Sequence, residues 1–413
     1  MNGWGTAKLG ELVTLTGGAP FKSSDFCDHG IPVLKIKNVK ANRLLLDDVD
    51  YIPEDVANEY SESFLRKGDL LITMTGNRMG GGMDSWVGKV ALFNEERKYS
   101  LNQRIGIIRP KTPEAVHIRF LSFCLSTGDS QRELVQIATG SGGQANLSPK
   151  QILTVEVPHP PFPAQRAIAS VLGALDDKIE LNRRMNETLE ALAQSLFKSW
   201  FVDATQAALP KGWREGKVSD VCTTQYGYTA SATEEEVGPK FLRVMDINKQ
   251  NWIEWSSVPH CSIPDEGKSR YALSVGDIVV ARMADPGKSA IVEQPIDAVF
   301  ASYLVRLKAK SLAHAYYLYY FLKSQAYTDY SEGAMSGSVQ ANMNAKIIVA
   351  AELPIPPASL MEAFLAKVLP LRQRIVANLN ESRTLAALRD ALLPKLLSGE
   401  LRVPAAKLVE AQA

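Results

Sequence analysis

The chain of 413 residues has only four cysteines and five histidines. The cysteines lie far apart and form no CxxC pair, which excludes a zinc knuckle and gives no sign of a disulfide framework. The nearest approaches to metal-ligand pairs are Cys27 with His29 and His260 with Cys261, which we interpret as ordinary loop residues. The sequence therefore predicts no metal site.

Long apolar runs and an excess of one charge are also absent. No run approaches the roughly 20 apolar residues that cross a bilayer, and the first residues, MNGWGTAKLGEL, lack the charged-then-apolar pattern of a signal peptide. We therefore expect a cytoplasmic protein. The net charge is only +1, whereas a nucleic-acid binder usually has a pI above about 9, so any positive surface must be local.

The motifs of several enzyme classes are missing as well. There is no GxxxxGK[ST] phosphate loop, and the glycine clusters GNRMGGG (76–82) and GSGG (140–143) do not stand between a buried strand and an amphipathic helix, as a cofactor-binding turn would. No histidine lies in a recognisable hydrolytic triad motif. One tetrapeptide, His159-Pro160-Pro161-Phe162, is close to the Asn/Asp/Ser-Pro-Pro-Phe/Tyr site of amino-methyltransferases.

What the chain does contain is a repeat of about 200 residues, which indicates two domains of one fold rather than a solenoid. The matching pairs are GIPVLKIKNV (30–39) with GPKFLRVMDI (238–247), GDLLITMTG (68–76) with GDIVVARMA (276–284), VGKVAL (87–92) with PGKSAI (286–291), and ATGSGGQANLSPKQILTVEVPHPP (138–161) with AMSGSVQANMNAKIIVAAELPIPP (334–357).

Comparison of the two copies indicates that the tetrapeptide is not a catalytic site. The second copy has Ile355 at the position of His159, and isoleucine cannot accept a hydrogen bond, yet the flanking prolines persist. Proline fixes φ and has no amide hydrogen to leave unpaired in a first helical turn. We therefore interpret both segments as a structural joint that leads into a helix, with Phe162 as a packing residue.

Each half reads as short alternating strands, then an aromatic-rich helix at 117–127 or 314–324, then a long helix. We expect the aromatic residues of the shorter helices to pack in the core. The long helices carry heptad positions at Leu175, Asn182, Leu189 and Leu196, and at Leu371, Asn378, Leu385 and Leu392. We predict an α+β fold in which these helices form an antiparallel intramolecular coiled coil relating the halves by a pseudo-twofold axis, with Asn182 and Asn378 fixing the register.

With the duplication, the PxPP segment and the helix LDDKIELNRRMNETLEALAQSLFKSWFVD (175–203) in view, the full chain resembles the DNA-specificity subunit of type I restriction–modification systems. The resemblance implies target-recognition domains at 1–157 and 206–353, a central helical spacer at 158–205, and a C-terminal helical spacer and tail at 354–413. It implies a non-catalytic subunit, with each domain reading one half of a bipartite, asymmetric site in double-stranded DNA.

The resemblance also implies partners. Two modification subunits would bind S-adenosylmethionine and methylate adenine, and motor-nuclease (restriction) subunits would use ATP and magnesium. Because this chain is nearly neutral, we expect the modification subunits to supply much of the phosphate contact. A helix over 164–200 would be about 55 Å long, which spans about one and a half turns of duplex at roughly 3.4 Å per base pair.

We predict DNA contacts in polar loops where the two copies differ, because residues shared by both copies cannot discriminate between different half-sites. In the first half these are Lys22, Ser23, Lys37, Asn38, Asn77, Arg78, Asn102, Gln103 and Arg104. In the second half they are Thr229, Ser231, Arg243, Asp246, Asn248, Arg282, Lys288 and Ser302. The shared residues Gln144, Asn146, Gln340 and Asn342 are expected to stabilise loops or contact phosphates. Two alternatives remain open: an autonomous DNA methyltransferase or nuclease, and a coiled-coil scaffold that does not bind DNA.

Overall fold

The computed structural model describes residues 4–78, 85–140, 143–335 and 342–403. The chain forms two compact units, unit 1 with Met1–Asp177 and Leu385–Ala413, and unit 2 with Lys178–Thr384. In the described part of the chain, no helix combines the length and the apolar character needed to span a membrane.

Unit 1 consists of short strands with helices packed against them. Its strands are β1 (Thr6–Lys8), β2 (Val13–Gly17), β3 (Ile31–Leu34), β4 (Val39–Lys40), β5 (Arg43–Leu44), β6 (Asp50–Ile52), β7 (Leu70–Thr73), β8 (Thr75–Asn77), β9 (Val90–Leu92), β10 (Ser100–Leu101), β11 (Ile105–Pro110), β12 (Gln144–Asn146) and β13 (Glu156–Pro158). Its helices are α1 (Leu9–Leu12), α2 (Glu54–Glu59), α3 (Ile118–Leu125), α4 (Gly128–Ile137), α5 (Pro149–Ile152) and the start of the long helix α6 (Phe162–Phe197).

Unit 2 repeats this plan. Its strands are β14 (Cys222–Tyr226), β15 (Lys240–Leu242), β16 (Ile278–Ala281), β17 (Ser289–Ile291), β18 (Ala298–Phe300) and β19 (Leu304–Ala309). Its helices are α7 (Asp265–Tyr271), α8 (Leu312–Phe321), α9 (Gln325–Met335), α10 (Ala345–Ala350) and most of the long helix α11 (Ala358–Ser398), whose C-terminal end belongs to unit 1. A π-helical turn, Lys198–Val202, follows α6.

The central sheets of the two units have the same topology. Unit 1 has a four-stranded antiparallel sheet in the order β2-β11-β7-β9, and unit 2 has the order β14-β19-β16-β17. The helix caps repeat too: the Ser148 side chain accepts a hydrogen bond at the start of α5, and Asn344 does the same for α10. The internal repeat of the sequence is therefore a repeat of structure.

The aromatic-rich helices lie in the core, as the sequence predicts. Tyr316, Tyr317, Tyr319 and Tyr320 of α8 are at most 2% exposed. They pack against Phe197 and Phe364 of the long helices in unit 2. In unit 1, Phe120 and Phe123 of α3 are buried with Ile168 and Leu172 of α6.

Within each unit, α6 and α11 run antiparallel, which confirms the predicted intramolecular pairing. In unit 2, Asn182 lies against Asn378 and Glu190 against Arg372; in unit 1, Arg389 forms an ion pair with Asp176 at 2.8 Å. The six leucines at the predicted heptad positions are all only partly buried, whereas Asn182 and Asn378 are fully buried. Beside Leu371 the fully buried side chain is Arg372, because two carboxylates compensate its charge.

The proline-containing segments around His159 and Ile355 form structural joints that lead into the long helices. His159 N donates to Gly5 O at 2.7 Å, and the buried Gln165 side chain donates to Pro160 O at 2.9 Å. The Phe162 ring lies 6.2 Å from the His117 ring. In unit 2, Arg214 and Ile355 exchange two backbone hydrogen bonds of 3.0 and 2.8 Å. Both segments thus pair with the N-terminal segment of their own repeat before the long helix begins.

Candidate nucleic-acid interface

In unit 2, three strand ends meet at one edge of the central sheet. Tyr226 pairs with Val305, and Ala281 pairs with Leu304, so the end of β14, the end of β16 and the start of β19 are adjacent. This position brings together four side chains that we call edge 2: Tyr226, Arg282, Tyr303 and Asn342. The tyrosines are 43% and 56% exposed, respectively, which is unusual for large aromatic side chains next to a sheet.

Backbone hydrogen bonds hold edge 2 together. Arg282 N donates to Tyr303 O, and Met343 N donates to Arg282 O, both at 2.9 Å. The hydroxyl of Tyr226 accepts from Ala345 N at 2.9 Å, and its ring lies 5.1 Å from the Arg282 guanidinium carbon. The ring therefore positions the guanidinium by a cation–π contact.

Edge 2 also has unused hydrogen-bonding capacity. Arg282 Nε and Asn342 Oδ1 are buried, and no described residue pairs with either atom. The turn that follows Arg282 is strained, since Ala284 has a φ of +66°, which a residue with a side chain rarely adopts. A guanidinium suits guanine edges, an amide suits adenine edges, and exposed aromatic rings stack on bases.

The equivalent edge of unit 1 has the same backbone and the same asparagine, and its other three side chains differ. Edge 1 comprises Gly17, Met74, Arg104 and Asn146, and its hydrogen bonds match those of edge 2: Met74 N donates to Arg104 O at 2.9 Å, and Leu147 N to Met74 O at 2.8 Å. Asn146 Oδ1 accepts from Thr75 Oγ1 at 2.9 Å. The exposed side chain of Arg104 has no hydrogen-bond partner among the described residues. The guanidinium thus comes from a different strand end in each unit.

The predicted DNA-contacting residues fall into three groups. Those with exposed side chains are Lys22, Ser23, Lys37, Asn77, Arg78, Gln103, Arg104, Gln144, Thr229, Ser231 and Lys288. Those that are half-buried are Asn102, Asn146, Arg243, Asp246, Asn248, Arg282, Ser302 and Asn342. Asn38 is buried, and Gln340 lies outside the described residues.

Asn38 requires a correction. It is 1% exposed, and its amide donates to Leu45 O at 2.9 Å and to Asp48 O at 2.7 Å while its oxygen accepts from Lys35 N at 2.9 Å. All of these bonds close its own loop. We therefore withdraw Asn38 as a base-reading residue.

Other predicted residues already have hydrogen-bond or ion-pair partners within the protein. Lys37 forms ion pairs with Asp48 at 3.1 Å and Asp50 at 3.4 Å, and its hydrogen bond to Asp48 raises its pKa. Arg78 donates to Ala138 O at 3.0 Å and Gly140 O at 3.2 Å. Arg243 and Asp246 are paired through two side-chain hydrogen bonds of 3.0 Å. These residues must give up existing partners before they contact DNA.

The seam asparagines lie where the heptads predict. Asn182 and Asn378 are fully buried. The Asn378 amide donates to Asn186 Oδ1 at 2.8 Å, and the Asn182 amide donates to Glu381 Oε2 at 2.9 Å and Ser382 Oγ at 3.2 Å. These bonds join α6 and α11 within unit 2. Their role in fixing the register stays a prediction.

The sequence interpretation missed the tyrosines of edge 2. Tyr226 ends the alternating strand CTTQY, and Tyr303 lies just before β19. Both tyrosines follow polar or small residues, which are typical of turns, so there was no local reason to single them out. The signal that could have revealed them is the repeat itself, because Tyr226 replaces Gly17 and Tyr303 replaces Arg104 at matching strand pairs. Among the described residues, no group of three or more His, Cys, Asp or Glu is placed to hold a metal.

Comparisons with known proteins agree with two repeats of one fold. The family model described as Type I restriction modification DNA specificity domain matches residues 1–191 and again 210–363. The type I restriction enzyme MjaIX specificity subunit of Methanocaldococcus jannaschii is 28% identical over 97% of this chain and 94% of its own. The HindI specificity subunit of Haemophilus influenzae is 23% identical over 82% of this chain and 87% of its own.

A solved structure shares the fold. The crystal structure of the S subunit of a type I restriction-modification system from M. genitalium has a TM-score of 0.60 with this chain at 14% sequence identity. The match covers 95% of this chain and 96% of the other. The two matches of one family model correspond to the two halves of the repeat.

Proposed function

The chain belongs to the family of type I restriction–modification DNA specificity proteins, and from that premise we propose that edge 1 and edge 2 each read one half of a bipartite DNA site. The protein is a non-catalytic recognition subunit, as its relatives are. The observation that carries the proposal is that the two units build the same sheet edge with different side chains at three of its four positions. A shared backbone gives a common way of docking on duplex DNA, and different side chains give different base preferences.

The long helices are proposed to act as a spacer. Domains at 1–157 and 206–353 would lie at the two ends of an antiparallel pair formed by α6 and α11, related by a pseudo-twofold axis. Buried polar contacts between α6 and α11 in unit 2 support a fixed register. The distance between the two half-sites would then follow from helix length.

Exposed leucines on α6 offer a surface for the partner subunits. Leu181 and Leu192 are 54% and 48% exposed, and a separation of three helical turns places them on one face. We propose that two modification subunits dock on the helices, bind S-adenosylmethionine and methylate adenine, and that motor-nuclease subunits using ATP and magnesium join them in the cytoplasm. The substitutions L181E and L192E should prevent co-purification of the modification subunit, whereas L209E, at an exposed leucine outside the helices, should not.

The decisive experiment maps methylation. The chain is expressed with a cognate modification subunit, and methylated adenines are located across a genome. We expect a bipartite motif, and we expect replacement of residues 1–157 by those of a relative to change one half of it and leave the other half intact. A motif that is unchanged by this exchange would show that the chain is a scaffold, and S-adenosylmethionine binding by the purified chain would favour an autonomous enzyme.

A further inference from the structure

Unit 2 contains a polar cleft between two turns and α9. Its volume is about 450 Å³, and its walls are formed by the 247–251 loop, the 286–289 turn and one face of α9. Lys249, Lys288 and Lys323 line the cleft, and Glu332 is the one carboxylate among the lining residues. The cleft is therefore electropositive.

Three polar side chains that line this cleft have unpaired atoms. Ser289 Oγ, Tyr327 OH and Asn248 Oδ1 are buried, and no described residue makes a hydrogen bond with them. Ser289 is 5% exposed and Tyr327 is 1% exposed. Burial of an unpaired polar group costs stability, so three such groups in one cleft indicate a ligand that pairs with them.

At the same place in unit 1, the buried Leu134 lies against the glycine turn. Gly88 and Gly287 occupy matching turns, with φ of +84° and +89°. A side chain on Gly88 would meet Leu134 Cδ1 at 2.9 Å, whereas a side chain on Gly287 would meet Ser331 Oγ at 3.2 Å. Leu134 is fully buried.

The residues that follow these two glycines are also more buried or more apolar in unit 1 than in unit 2. Lys89 is 4% exposed in unit 1, and the matching Lys288 is exposed in unit 2. The next position is Val90 in unit 1 and Ser289 in unit 2. Because the fold is repeated, the exposed lysine and the buried serine at this place are features of the second copy that the fold itself does not require.

We propose that this cleft binds a phosphate ester of about nucleotide size. Lysine ammonium groups and the hydroxyls of Ser289 and Tyr327 donate hydrogen bonds to the phosphate oxygens, as charge-assisted bonds do. Asn248 Oδ1 accepts a hydrogen bond from a hydroxyl of the ester. The volume is in the range of small-ligand sites, which run from roughly 300 to 1,000 Å³.

The protonation states in the cleft suit an anion. Burial raises the pKa of Tyr327, so its hydroxyl stays a donor. Burial lowers the pKa of Lys323 to about 8. Its ammonium has three donors, and among the described residues only Asn251 Oδ1 accepts a hydrogen bond from it, at 2.7 Å. An anion beside Lys323 would restore the charged form that burial disfavours.

The test is a titration of the full chain with inorganic phosphate and with adenosine monophosphate, followed by calorimetry. We expect saturable binding of the monophosphate, weakened about tenfold or more by Y327F, S289A or K288A. K308A, at an exposed lysine on β19, is the matched control and should bind as the wild type does. Y327F and S289A lose no hydrogen bond to a described residue, so we also expect both to melt at or above the temperature of the wild type in the absence of ligand.

The source of the phosphate is found by adding duplex DNA. If duplex DNA displaces the monophosphate from the wild type, a backbone phosphate is the natural occupant of the cleft. Residual binding of duplex by Y327F does not by itself identify the occupant. Simultaneous binding of duplex and monophosphate identifies a free nucleotide. Absence of saturable binding of either probe, or equal binding by wild type and Y327F, overturns the proposal and leaves the DNA-reading edges unaffected.

Discussion

Arg372 of α11 and Glu190 of α6 form an ion pair from which solvent is excluded, with side chains 0% and 2% exposed. Arg372 also donates to Glu293 at 2.8 Å and to Asn251 O at 3.2 Å, and the Tyr320 hydroxyl donates to Glu190 at 3.2 Å. The network joins both long helices of unit 2 to the strand-rich part of the same unit. One arginine therefore links α6, the 247–251 loop and Glu293 in unit 2.

Removal of that arginine should be strongly destabilising. R372A leaves the buried carboxylates of Glu190 and Glu293 without their cationic partner, and breaking a buried ion pair in this way costs about 3–5 kcal/mol. We expect thermal unfolding of unit 2 to shift sharply downward. R389A, which breaks the partly exposed pair with Asp176, should cost at most about 1 kcal/mol, and equal losses for both variants would contradict this account.

The sequence alone could not have revealed this network. Glu190, Glu293 and Arg372 are far apart along the chain. A charged residue within a heptad pattern is normally interpreted as facing solvent. Asn182 and Asn378 were predictable because their seven-residue spacing with leucines is a local signal. Asn38 was misinterpreted for the opposite reason: a polar residue in a loop reads as exposed, and only its three hydrogen bonds within the loop explain its burial.

The buried asparagines of the seam should lower the stability of the helix pair and fix its register. The Asn378 oxygen and the Asn182 oxygen are buried without hydrogen bonds among the described residues. Replacing the bonded pair in N186L/N378L removes one such orphan atom, so we expect a higher melting temperature together with a mixture of species in sedimentation experiments. The single variant N378L, which leaves Asn186 Oδ1 unpaired, should melt lower than the wild type.

The two edge arginines should control different halves of the DNA motif. An arginine that contacts a guanine edge contributes about 1–3 kcal/mol of discrimination, which is roughly 5- to 150-fold in affinity. We expect R104A to relax base preference in one half-site only and R282A in the other only, measured as binding of the assembled complex to duplexes substituted one position at a time. A uniform loss at every position would instead identify phosphate contacts.

Anion binding in the cleft of unit 2 should depend on pH through Lys323. Burial lowers its pKa to about 8, as do Arg372 and Lys288, while Glu190 and Glu293 oppose this shift. Lys323 is charged below this pH and neutral above it, so affinity for an anion should fall as the pH rises through about 8. Sulfate is the suitable probe because its charge is constant in this range. K323M should bind more weakly and lose the pH dependence, and a fall in affinity that persists in K323M would assign the dependence to another group.

Helix length should set the distance between the two halves of the DNA motif. The two long helices run antiparallel in unit 2, so a heptad inserted after Asn182 is matched by a heptad inserted before Asn378, which keeps the seam in phase. Seven residues add about 10 Å, and at roughly 3.4 Å per base pair this widens the spacer by about three base pairs. Methylation mapping of the double insertion should therefore return both half-sites unchanged with a longer gap. Insertion into α6 alone should abolish methylation, because it leaves the seam unmatched, and an unchanged gap in the double insertion would show that the helices do not measure the site.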